Sequence, residues 1–107
     1  TYDRSCAVGP WIELGLSEEA ARRRTISIAI RRGGGTVFSG STSIDTMKRS
    51  FSELASWLCR SQRFPHGAAL LTGTGIVPDE SFTLAAGDEV EIGISDLGTL
   101  VNPVVVV

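Results

Sequence analysis

In this 107-residue chain the residues best suited to hold a ligand are Gly73, Thr74 and Gly75. They follow Ala68-Ala69-Leu70-Leu71-Thr72, a short apolar run that reads as a buried strand. A strand that stops in a Gly-Thr-Gly turn exposes backbone N–H groups and a hydroxyl together, and glycine lets backbone approach a ligand closely. Such a turn suits a carboxylate or a carbonyl oxygen. It is not a dinucleotide loop, because Pro78 stands where the third glycine belongs and no helix pattern follows. No G-x-S-x-G nucleophile elbow is present. His66, the single histidine, lies between Pro65 and Gly67 and reads as a solvated turn residue without a metal-binding partner. Cys6 has no adjoining base and reads as a small buried thiol. Arg22-Arg23-Arg24 read as a solvated face, and Asp79-Glu80 and Asp88-Glu89 as solvated turn acids. The residues alone therefore supply no catalytic set and no metal set.

The elements that must position these groups follow from periodicity. Ile26, Ile28 and Ile30 alternate with Ser27, Ala29 and Arg31, the period of a half-buried strand. Gly33-Gly34-Gly35 tolerate the positive φ of a hairpin turn, and Thr36-Val37-Phe38 begin the return, so a β-hairpin is expected over about residues 25–41. Ser17 before Glu18-Glu19 is a helix N-cap, and residues 17–24 are expected to form a helical turn. Ser50-Phe51-Ser52-Glu53 is a capping box. Phe51, Leu54, Ala55 and Leu58 then recur at helical spacing, which predicts one amphipathic helix over about 51–62, closed by Pro65 and Gly67. Val90, Ile92 and Ile94 predict a strand after an Ala86-Gly87-Asp88 turn. Further strands are expected after Pro10 and at Val104–Val107.

The sum is a mainly β (α+β) domain, a mixed β-roll or sandwich carrying one packed amphipathic helix, and residues 1–107 make a single domain. Ten Lys and Arg against twelve Asp and Glu leave a net charge of −2, which gives no electrostatic case for nucleic acid or an anionic membrane. No apolar run approaches the ~18 residues of a membrane span. Two cysteines make neither a disulfide framework nor a zinc set, which fits a cytoplasmic setting. The first residues, TYDRSCAVGP, are motif-like and follow no signal-peptide pattern. They read as the interior of a longer protein, with part of any active site upstream.

Three stretches together resemble the C-terminal part of the fumarylacetoacetate hydrolase superfamily. They are YDRSCAVGP at 2–10, TMKRSFSELASWL at 46–58 and LLTGTGIVPDESFTLAAGDEVEIGISDLGTLVNPV at 70–104. The Ser-Cys-Ala-Val-Gly-Pro and Thr-Gly-Ile-Val-Pro forms are most similar to its branch of 2-keto-3-deoxy sugar acid (arabonate and xylonate) dehydratases. The resemblance implies metal-dependent chemistry on 2-oxo acids, a homodimer, and a divalent cation, usually Mg2+ with Mn2+ or Ca2+ as substitutes. That cation chelates the oxo-carboxylate and stabilises the enolate. It implies that Thr74 contacts the substrate's carboxylate side, with Gly73 and Gly75 shaping the turn. Asp3 matches a position near the family's site. The family's Glu-x-Glu metal pair, its metal-binding Asp and its lysine all belong before residue 1. Glu89-x-Glu91 has the metal pair's spacing in the wrong part of the pattern, and His66 does not match the lid histidine. The chain is therefore expected to have no catalytic or metal-ligating residue of its own, to bind no metal alone and to be inactive alone. The contrasting expectation is a non-catalytic oligomerisation or scaffold domain.

Overall fold

The computed structural model describes residues 3–107. Helix α1 spans Glu18–Arg22, strand β1 Thr25–Arg32, strand β2 Gly35–Ser43, a 3-10 turn Ile44–Thr46, helix α2 Phe51–Cys59, strand β3 Glu89–Ile94 and strand β4 Gly98–Pro103. The strands form one antiparallel sheet in the order β2-β1-β3-β4. This is the mainly β architecture with packed helix that the residue patterns predict.

The Ile alternation decides the faces. Across β1 and β3, Ile26 faces Ile94, Ile28 faces Ile92 and Ile30 faces Val90. Directly opposed side chains in a ladder point to one face, so these six make a single apolar surface. The other face carries Arg31, which pairs with Glu89 at 3.4 Å and Glu91 at 2.8 Å. The β1–β2 turn is Gly33-Gly34 at φ 57° and 83°, the double positive φ that fits the twist of a two-residue hairpin. A bulge after Ile30 places Val37 outside the register between Phe38 and Thr36.

Irregular segments roof the apolar face instead of a second sheet. Phe82 packs on Phe38 with ring centroids 6.0 Å apart. Ile76 lies where Gly40 would carry a Cβ, at 3.1 Å. Trp11 lies beside Gly98, where a Cβ would come within 3.6 Å of its ring. Beneath this roof Ile30 is 2% exposed and forms the centre of the core. Ile30→Val removes one methylene there and is expected to cost about 1 kcal/mol in urea unfolding, with an unchanged m-value.

Four expectations need correction. Residues 68–75 run without a strand: none of their backbone groups pairs with another described backbone group, and an apolar run without a ladder partner cannot form one. Residues 11–14 likewise form no strand. The last strand is Gly98–Pro103, not Val104–Val107; Val104 adds two bonds, its N–H donating to Asp88 O at 2.8 Å and its carbonyl accepting from Gly87 N–H at 2.9 Å, and the three valines after it stay exposed. Helix α2 stops at Cys59, not residue 62, because its last turn tightens to an Arg60 N–H bond to Trp57 O.

Candidate functional site

The Gly-Thr-Gly turn is held against β2 by two different glycine properties. Gly73 has φ 92°, a left-handed backbone that glycine adopts freely. Gly75 is glycine for space: a Cβ there would lie 3.0 Å from Thr42 Oγ1 and 3.3 Å from its Cγ2. The turn closes on itself through Thr74, whose Oγ1 accepts from Ile76 N–H at 3.1 Å and donates to Ile76 O at 3.2 Å. The hydroxyl is therefore engaged within the turn, not free as the sequence suggested. Among the described residues nothing accepts from the N–H groups of Gly73, Thr74 or Gly75. Consecutive N–H groups without acceptors favour an anionic oxygen.

This turn forms one side of a cavity of about 260 Å³. Thr42, Ser43 and Thr46 contribute hydroxyl-bearing walls, and Ile26, Met47 and Phe51 an apolar one. The segment carrying Met47 and Phe51 is tied to α1. Arg22 Nη1 donates to Met47 O at 2.8 Å and Nη2 to Arg49 O at 2.7 Å. Glu18 Oε1 accepts from Arg22 Nε at 3.0 Å and from Phe51 N–H at 3.2 Å. The Arg22 guanidinium holds the Glu18 carboxyl below its usual range, so it stays charged at neutral pH.

The expected solvated arginine face is thus only Arg23, which pairs with Glu19 in solvent. Arg22 and Arg24 are structural, Arg24 binding both Glu13 oxygens at 3.0 and 2.9 Å. For Arg22 the signal in the sequence is the i,i+4 spacing from Glu18, which cannot say what else a guanidinium reaches; Arg24, 11 residues from Glu13, has no such signal. Asp88 is also no solvated turn acid. It is 1% exposed and takes a fork from Arg32, Nε to Oδ1 at 2.7 Å and Nη2 to Oδ2 at 2.8 Å. Ala85 N–H adds a third bond at 2.9 Å. These donors, the Arg32 guanidinium foremost, hold the Asp88 carboxyl down at about 2. Cys6 is exposed, against the expected buried thiol, because residues 4–8 lie outside the core. His66 is an exposed turn residue as expected. Asp3 is exposed and accepts from Arg4 N–H at 3.1 Å. Tyr2, which opens the first family-like stretch, lies outside the described residues.

The divalent metal that the resemblance implies finds no donor set here. Among the described residues no three His, Cys, Asp or Glu side chains gather. Glu89 and Glu91 are engaged by Arg31 on the polar sheet face. No helix among the described residues is long and apolar enough to cross a membrane.

A four-stranded antiparallel sheet whose roof ends in a Gly-Thr-Gly turn over a small cavity matches one known class of domain. The chain belongs to the fumarylacetoacetate hydrolase family, whose C-terminal model, Fumarylacetoacetate (FAA) hydrolase C-terminal, matches residues 1–105. Among curated relatives it is 38% identical to a probable 2-keto-3-deoxyxylonate dehydratase of Haloferax volcanii over 99% of this chain and 37% of that protein. It is also 38% identical to the 2-dehydro-3-deoxy-D-arabinonate dehydratase of Saccharolobus solfataricus, over 96% of this chain and 35% of that protein. A human mitochondrial oxaloacetate tautomerase, FAHD2A, is 32% identical over 98% of this chain and 33% of its own length. A solved 2-keto-3-deoxy-D-arabinonate dehydratase complexed with magnesium and 2,5-dioxopentanoate superposes with a TM-score of 0.74 at 39% identity, covering 77% of this chain and 29% of that one. The chain thus spans about a third of the length of these relatives.

Proposed function

We propose that this chain is the substrate-pocket portion of a divalent-metal-dependent 2-oxo acid enzyme, specifically a 2-keto-3-deoxy sugar acid dehydratase or a related C–C hydrolase. The observation that carries this is the exposed Gly73-Thr74-Gly75 turn, whose N–H groups have no acceptor among the described residues, lining an open cleft with hydroxyls and apolar carbon. In this reading the turn binds the substrate's carboxylate side. The Thr74 proton rotates off Ile76 O, a 3.2 Å bond, onto the ligand oxygen, while Ile76 N–H keeps the side chain in place. Gly73 and Gly75 hold the N–H groups toward the same oxygen, and Ile26 and Phe51 exclude water behind it. Magnesium, present in the related dehydratase, supplies enolate stabilisation in such enzymes. In this reading the metal's ligands come from elsewhere in a larger catalytic unit, of which this chain, spanning about a third of its relatives' length, is one domain that is expected to be inactive alone. The protein acts as a homodimer in the cytoplasm.

Oxalate, a stable mimic of the oxo-carboxylate, tests the assignment by calorimetric titration. Thr74→Ala removes one charge-assisted hydrogen bond and is expected to weaken oxalate about tenfold. Oxalate binding that ignores Thr74, or no binding beside clean dimerisation, supports the scaffold reading instead.

A further inference from the structure

We infer that the Arg22–Glu18 pair of α1 positions the apolar wall of the cavity, fixing Met47 and Phe51 beside the Gly73–Gly75 turn and so setting how much room a ligand finds there. The inference rests on the reading of this cavity as the 2-oxo acid pocket.

The wall has little to hold itself. Residues 47–50 lie between the 3-10 turn and α2 and form no helix or strand. Ser50 O is bonded by Leu54 N–H of α2, and the Met47 and Arg49 carbonyls before it take donors from outside the segment. Arg22 supplies both of these, to Met47 O at 2.8 Å and Arg49 O at 2.7 Å. Glu18 binds the other end of the segment, at Phe51 N–H. The Arg22 guanidinium also lies 5.8 Å from the centre of the Phe51 ring, on its face. One ion pair thus holds both cavity-lining residues of the segment by their backbone, and the aromatic ring as well.

The neighbouring pair shows that spacing alone does not create this role. Arg23 and Glu19 repeat the i,i+4 arrangement one residue further on. Their side chains are 75% and 77% exposed, against 20% and 32% for Arg22 and Glu18. Neither reaches the 47–51 segment. An exposed pair of that kind contributes little. Arg22 differs in reaching three acceptors with a planar fork. A lysine ammonium, with its donors on a single nitrogen, cannot span them. Methionine fills whatever space its backbone leaves, so a loosened Met47 changes the shape of the cavity.

Met47 is the chain's single methionine, so its 13C-labelled methyl group gives one NMR signal from the wall. In the ligand-free protein, Arg22→Lys and Glu18→Gln are expected to shift or broaden that signal, while Arg23→Ala leaves it in place. In oxalate titrations Arg22→Lys is expected to weaken binding about tenfold, with Arg23→Ala at wild-type affinity. Arg22→Lys keeps charge and helix propensity, and Glu18→Gln gives a second, independent perturbation if one variant folds poorly. A Met47 signal and oxalate affinity unchanged in both variants would overturn the inference. If wild-type protein binds no oxalate, the pocket assignment falls; the ligand-free spectra then decide separately whether Arg22 and Glu18 hold the wall.

Discussion

Arg32→Met is expected to lower the melting temperature at neutral pH by roughly 10 °C, by leaving a buried carboxylate without its counter-charge. Asp88 is 1% exposed and keeps only the Ala85 N–H when the guanidinium is gone. Methionine retains the aliphatic stem of Arg32, so the variant isolates the charge from the packing. The acid response gives the sign. In the wild type the Asp88 carboxyl lies at about 2, below its ordinary 3.8, so its stabilisation is present above about pH 4 and is lost as pH falls through 2. In Arg32→Met the Ala85 N–H still favours the carboxylate more than burial opposes it, so the variant keeps only a smaller part of this stabilisation to lose over the same acid range. Melting curves of the two proteins are therefore expected to lie furthest apart at neutral pH and to converge toward pH 2. Adding Asp88→Leu to Arg32→Met removes the stranded charge and is expected to recover part of the loss. A constant gap from pH 7 to 2 would show that the pair acts by packing alone.

Gly75→Val is expected to abolish oxalate binding while leaving the sheet folded. The Cβ of any residue there meets Thr42 Oγ1 at 3.0 Å and Cγ2 at 3.3 Å, both on a β-branched side chain stiff at χ1. Alanine needs a shift of a few tenths of an ångström, whereas valine adds two methyls that the strand behind cannot accept. The turn must then lift off β2, displacing Gly73 and Thr74 from the cavity that they line. Thr42→Ala empties the space that Gly75 faces. The double variant Gly75→Ala/Thr42→Ala is thus expected to bind more tightly than Gly75→Ala, a coupling that a titration cycle measures. Wild-type affinity in Gly75→Val would remove the turn from the binding site.

What could be read from residues alone is what local chemistry fixes. The Ile26-Ile28-Ile30 alternation, the glycine triplet and the Ser50 cap each specify their element within a few positions, and each stands where expected. The Gly-Thr-Gly break could be read as a turn for the same reason, since both glycines are visible in the sequence. The misreadings share one cause. Ala68–Thr72 and Val104–Val107 are as apolar as a strand, but strands need partners, and partners are assigned by the whole chain. Asp88 is a turn acid in sequence, and only Arg32, 56 positions earlier, makes it a buried one. Arg22 likewise looks like one of three alike; its acceptors lie 25 and 27 residues away.

The sheet order has a kinetic consequence. β1–β2 and β3–β4 are hairpins with short turns, which form locally and in microseconds. The ladder that joins them pairs Ile30 with Val90 and Ile26 with Ile94, across the whole stretch containing α2 and the ligand turn. Closing that loop costs entropy before any contact rewards it, yet only about 0.6 kcal/mol for each doubling of its length. The rate of folding is therefore expected to be set by the meeting of two preformed hairpins and to fall only about threefold for each doubling of the intervening segment. Evolution can rewrite the residues over the cavity, and so change what it accepts, with little effect on the assembly of the sheet beneath.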